Sequence, residues 1–121
     1  MDTSNTGLEL IFLMATKTPT QRSLELLRSR GYTVAVVERS SNFRGVFRRH
    51  GLFGIADLIA IRPDEVMLVQ VTSGSNVSAR IKKIADSEHV DAIRDSGMLI
   101  FVHGWSRRAN GRYECREVDL S

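Results

Sequence analysis

The sequence predicts an α/β fold, a central mixed β-sheet flanked by helices. Three observations carry this. Helical signals alternate with β-branched runs along the chain. Residues 56–61 and 66–72 are almost continuously apolar, the pattern of strands covered on both faces. The resulting order, α-β-β-β-α-β-β, excludes a pure helical bundle and a pure sandwich. At 121 residues the chain makes one domain, 1–121, large enough for a core without staples. Residues 1–17 read as an N-terminal extension or extra helix, with Leu8, Ile11 and Phe12 on one side of a short helix over 1–13.

The elements follow in order. Thr18-Pro19-Thr20-Gln21 is a helix start with a mechanism: Thr18 caps, Pro19 suits the first helical position, and Gln21 completes a capping box. That helix turns Leu24, Leu26 and Leu27 inward and stops at Gly31. A β-branched strand follows over 32–38. Residues 40–54 read as a basic, glycine-bearing loop with room for a short irregular hairpin. Strands 56–61 and 66–72 flank the turn Arg62-Pro63-Asp64-Glu65. After the polar break Ser73-Gly74-Ser75-Asn76, a helix over 77–85 buries Ile81 and Ile84. Ser87 caps a second helical segment, 88–95, ending at Gly97. A buried strand over 98–103 and an alternating strand over 113–120 are joined through Asn110-Gly111, leaving Trp105, Arg107 and Arg108 in the loop, where Trp105 packs or, less in keeping with its context, stacks on a base.

Composition narrows the function classes. A single Cys115 excludes an intrachain disulfide and fits a reducing compartment. No apolar run approaches the ~20 residues of a membrane span, so no membrane partner is expected. The net charge of +3 says little, but its distribution says more. Between Arg39 and His50 stand four arginines (Arg39, Arg44, Arg48, Arg49), one histidine and no acid, with Phe43 and Phe47 interleaved. Guanidinium groups bind phosphate oxygens bidentately, so this run points to a nucleic-acid backbone. An adaptor that meets an acidic protein partner is the competing reading.

The apolar hairpin of 56–72 carries polar residues at one end. Asp57 stands at the entrance of its first strand. Gln70 and Thr72 leave the second strand on the same face, because side chains alternate with period two. Metal-assisted phosphodiester hydrolysis needs a divalent cation on oxygen ligands, often one or two carboxylates. Asp57 is the first candidate ligand, with the Gln70 amide oxygen and the Val71 carbonyl beside it, and Mg²⁺ or Mn²⁺ suits that set. Ser73, Ser75 and Asn76 offer backbone N–H groups to a phosphate at the helix start. His50, His89 and His103 have no zinc-like spacing among themselves or to Cys115.

On these residues the chain resembles the PD-(D/E)XK nuclease superfamily, with its nearest likeness to Holliday-junction-resolvase-like and VRR-NUC-like members. Gly54-Ile-Ala-Asp57-Leu-Ile-Ala-Ile matches the first half of the motif, and Val66-Met-Leu-Val-Gln70-Val-Thr72-Ser73 the second. The likeness extends over roughly residues 18–104. It implies a restriction-endonuclease-like core, α-β-β-β-α-β, with Asp57 as the metal-binding aspartate. It also shows departures. Ala56 stands where proline is usual. Gln70 takes the place of the second acid, a known variation. Thr72 takes the place of the catalytic lysine and brings no charge. In some members that lysine comes from the following helix, where Lys82 and Lys83 lie. A further acid often comes from the upstream helix, where Gln21 and Glu25 are the candidates and neither matches cleanly. Glu38, at the end of the first strand, is a further candidate in their place.

The expectation is a Mg²⁺- or Mn²⁺-dependent nuclease acting on DNA, with branched or structured DNA among its substrates. Asp57, Gln70, Thr72, Lys82 and Lys83 would form the catalytic set, with Asp57, Gln70 and Val71 on the metal. Arg39, Arg44, Arg48, Arg49, Ser73, Asn76 and Arg80 would meet the nucleic acid. The alternative is a nuclease-fold protein that binds nucleic acid and has lost the chemistry. The resemblance also implies a homodimer and a cytoplasmic setting in a bacterial or phage-infected cell.

Overall fold

The computed structural model describes residues 17–121; the helix expected over 1–13 lies outside them. Helix α1 (Pro19–Ser29) begins as its sequence dictates. The Thr18 hydroxyl accepts from the Gln21 N–H at 3.2 Å, and the Gln21 side chain accepts from the Thr18 N–H at 2.9 Å. Gly31, at φ 90°, ends the helix with its N–H on the Arg28 carbonyl.

Five strands form one mixed sheet in the order β1-β4-β5-β6-β7: β1 (Thr33–Val36), β4 (Leu58–Arg62), β5 (Glu65–Ser73), β6 (Leu99–Arg107) and β7 (Tyr113–Asp119). Only β5 and β6 run parallel. Their connection carries a 3₁₀ turn (Gly74–Asn76), α2 (Val77–Ala85) and α3 (Val90–Asp95), as a parallel crossover requires. The strand expected over 98–103 runs on to Arg107, so Trp105 is a strand residue paired with Cys115 rather than a loop residue. The expected cap at Ser87 moves as well. The Ser87 hydroxyl accepts from the His89 N–H at 3.2 Å, and α3 starts only at Val90.

Both sheet faces are covered. On one, Leu68, Ile100 and Val102 pack with Val77, Ile84, Val90 and Ile93 from α2 and α3. On the other, Leu58, Ala60, Met67, Val69 and Val71 pack with Leu27 of α1 and with Tyr32 and Val34. This is why 56–61 and 66–72 are apolar at nearly every position. Gly104 lets the start of α2 sit directly on β6. A Cβ there would collide with Cγ2 of Val77 and reach the Gly74 Cα at 3.4 Å.

Residues 39–50 form not a loop with an irregular hairpin but a regular two-stranded one, β2 (Arg39–Phe43) and β3 (Val46–His50). The two-residue turn Arg44-Gly45 has φ of 50° and 78°, the left-handed pair that matches strand twist in tight hairpins. This hairpin stands outside the main sheet, and its residues are exposed throughout.

Candidate active site

The site lies where β4 begins and β5 ends. Asp57 immediately precedes β4, and its backbone is held from two sides. Its N–H donates to the Val69 carbonyl and its carbonyl accepts from the Val37 N–H, both at 2.9 Å. The antiparallel register pairs Leu58 with Val69, which sets Asp57 opposite Gln70. The Asp57 Oδ2 accepts from Gln70 Nε2 at 2.7 Å and from the Val71 N–H at 2.8 Å. Asp57 is only 9% exposed. Burial pushes its carboxyl above the usual carboxylate range, and the nearby Glu38 charge adds to this. The hydrogen bonds from Val71 and Gln70, and the charge of Arg80, act in the opposite direction without overcoming burial.

Gln70 must donate its NH₂ here, because an ionised carboxylate only accepts. Its Oε1 is then left without a partner among the described residues, as is Asp57 Oδ1. Within a strand the N–H and C=O of one residue point to the same edge. Val71 turns its N–H toward Asp57, so its carbonyl points to that edge too, beyond the start of β4. Thr72 is buried and lies on the same strand face as Gln70.

These residues line a cleft of about 620 Å³. Glu38, two residues past β1, enters it beside Arg49 of β3, with the Arg49 Nε 3.8 Å from the Glu38 carboxylate. Arg80 and Lys83 enter from α2, one turn apart. Thr18, Pro19 and Thr20 at the start of α1 close the remaining wall, a part of the site that sequence reading saw only as a helix cap.

Asp57, Gln70, Val71, Thr72, Lys83, Arg80 and Arg49 are thus brought together. Lys82 is not among the lining residues. It precedes Lys83 by one residue, a rotation of about 100° around the helix, which turns it to another face. Arg39, Arg44 and Arg48 sit on the hairpin, away from the cleft, with Arg44 and Arg48 beside Phe43 and Val46. Ser73 and Asn76 lie outside the lining, and neither side chain caps the helix that follows it. On α1, Gln21 is spent in the capping box and Glu25 pairs with Lys17 at 2.9 Å. The second carboxylate of the cleft is therefore Glu38.

His103 belongs to another network. It is fully buried on the α1 face of β6. Its Nδ1 is 2.9 Å from the Ser23 hydroxyl, which also accepts from Trp105 Nε1 at 2.8 Å. Trp105 thus packs, partly buried, and hydrogen-bonds to α1 from strand β6 rather than from the expected loop. His103 Nε2 is buried without a hydrogen bond, 3.4 Å from the Glu117 carboxylate. Burial lowers the imidazole to about 4. Glu117 opposes this, and Arg30, which forks onto the same carboxylate, adds to the lowering.

Among the described residues, no group of three His, Cys, Asp or Glu side chains could hold a metal ion. The cleft instead offers mixed oxygen donors: two carboxylates, one amide and one main-chain carbonyl. Such a set fits a hard divalent cation and disfavours zinc-type ligation, which prefers imidazole and thiolate. Among the described residues, no helix is long and apolar enough to cross a membrane. No protein-family model matches the chain, and no curated protein matches it.

Proposed function

We propose that this protein is a divalent-metal-dependent nuclease of the PD-(D/E)XK type that hydrolyses phosphodiester bonds in DNA. One observation carries the reading: two carboxylates, an amide and a carbonyl meet the cations Lys83, Arg80 and Arg49 in a single cleft. Asp57, Glu38, Gln70 and the Val71 carbonyl would hold Mg²⁺ or Mn²⁺. When bound, such a cation polarises the phosphoryl oxygen and makes water more acidic. Lys83 takes the role that Thr72 cannot fill, placing positive charge beside the phosphoryl oxygens. Arg80 and Arg49 hold the flanking phosphates. The hydrogen bonds from Gln70 and the Val71 N–H keep one Asp57 oxygen fixed, so that the other is oriented before substrate arrives.

Thr72 favours a second reading, a protein that binds DNA without cutting it, since the motif's own lysine is gone. Both readings predict binding that weakens steeply with salt. A cleavage assay with Mg²⁺ and with Mn²⁺ on linear, supercoiled, single-stranded and branched DNA separates them. Cleavage that is lost in Asp57→Ala supports the nuclease. Cleavage that survives Asp57→Ala removes this site, and salt-sensitive binding without cleavage on any substrate selects the second reading.

A further inference from the structure

We propose that the β2–β3 hairpin is an arm that takes up unpaired nucleotides beside the cleft, Phe43 and Phe47 stacking on bases while its arginines hold phosphates. This deepens the nucleic-acid reading above and rests on it. Among the described helices and strands, the hairpin makes its substantial contacts only between its own two strands. A lone two-stranded ribbon is marginal by itself, so its side chains would be expected to pack wherever they could. Here they do not. Phe43 is 71% exposed and Phe47 60%.

Strand alternation sends the two rings to opposite faces, since Phe43 pairs with Val46 and Phe47 with Asn42. Each ring has a guanidinium over one of its faces. The Arg44 Cζ is 5.2 Å from the Phe43 centroid, and the Arg49 Cζ is 6.0 Å from that of Phe47. A flat apolar face next to a cation fits a nucleotide, whose base stacks and whose phosphate is an anion. From Arg39 to His50 there is no acid, so a polyanion fits the arm and a second copy of the arm is repelled.

The arm is also continuous with the cleft. Arg49 lines it, and Phe47 lies two residues further out on the same strand face, ~6.8 Å away along the strand. That spans about two stacked base steps of ~3.4 Å each. Intact duplex hides its base faces in the stack and offers the grooves only edges and phosphates. The exposed rings therefore select single-stranded, flapped or branched DNA, in which base faces are open.

The test is a binding titration by fluorescence anisotropy in EDTA, at about 100 mM salt, with a single strand, a blunt duplex and a four-way junction. The full chain is expected to prefer the single strand and the junction. Phe43→Ala with Phe47→Ala lowers that preference by roughly 5- to 150-fold, the equivalent of ~1–3 kcal/mol for one stacked base. Phe47→Trp retains it, and Arg48→Ala weakens all three complexes alike. A 2-aminopurine base in the single strand is quenched by the native chain and not by the double variant. Both rings stand in solvent, so an unchanged thermal unfolding curve verifies that the variant folds. A preference for blunt duplex, or a preference that survives removal of both rings, overturns the inference. Because no metal is present, the two readings fail separately. Preferential binding without cleavage sinks the nuclease and leaves the arm, whereas cleavage by a chain lacking the preference does the reverse.

Discussion

Acidification should expose the buried His103. Its imidazole is held at about 4, against an ordinary value of 6.5, so between these values the unfolded chain takes up a proton that the folded chain refuses. A histidine depressed by burial leaves stability intact above pH 6.5 and removes it as the pH falls toward 4. Each pH unit in that window costs about 1.36 kcal/mol, and the loss from pH 7 to pH 4 is therefore about 3 kcal/mol. Urea unfolding at pH 7, 6, 5 and 4 measures it. The control is His103→Gln, which keeps a polar partner for Ser23 and cannot titrate in this range. The gap between the two stability curves should change by about 3 kcal/mol across the window. Arg30→Met should shrink that change, because Glu117, 3.4 Å from Nε2, would then be free to stabilise the imidazolium. Parallel curves for the native chain and His103→Gln would refute the reasoning.

Other outcomes follow from the cleft and the core. Asp57→Asn keeps an acceptor for Gln70 and Val71 while removing a carboxyl that burial disfavours as an anion. It should raise the thermal midpoint of the metal-free protein and abolish cleavage; a lower midpoint would count against the burial penalty. Lys83→Ala should reduce the cleavage rate by roughly 10²–10³-fold, as loss of one charge-stabilising group does, while Lys82→Ala leaves it near native. Equal losses at both positions would remove the distinction that the cleft draws between them. Gly104→Ala should cost ~1–3 kcal/mol in urea unfolding, because its methyl meets the Val77 side chain.

Much of the fold was legible because local pattern and local geometry coincide. The Thr18 capping box, the Gly31 stop and the apolar runs of β4 and β5 each depend on neighbours within a few residues. The shared face of Gln70 and Thr72 follows from strand period alone. Asp57 was legible as the first residue of the site because it is an acid at the entrance of an apolar strand whose neighbour ends in the polar Gln70 and Thr72.

What stayed hidden depends on strand order and register. Arg39–His50 carries its own alternation, Arg-Ser-Ser-Asn-Phe against Val-Phe-Arg-Arg-His, but nothing local says that the ribbon leaves the main sheet. Glu38 and Arg49 are remote from Gln70 in sequence and share a cleft with it only because β1 pairs with β4 and the base of the hairpin, at Arg49, borders that cleft. His103 stood at the end of the expected strand 98–103. The parallel register sets it level with Val71, whose side chain packs on the α1 face, and so turns the imidazole into the core.

The sequence by itself therefore determined the elements, the two-sided burial of the sheet and the placement of Asp57 opposite a polar strand end. These follow from backbone periods and from the free energy of covering apolar surface. The tertiary structure decided among the candidates: Glu38 rather than Glu25 is the second carboxylate of the cleft, and Lys83 rather than Lys82 reaches it. It also decided that the aromatic arginine ribbon stands free beside them. Those outcomes depend on which strands pair and how one helix rotates on the sheet, and such long-range choices leave no mark in the spacing of neighbouring residues.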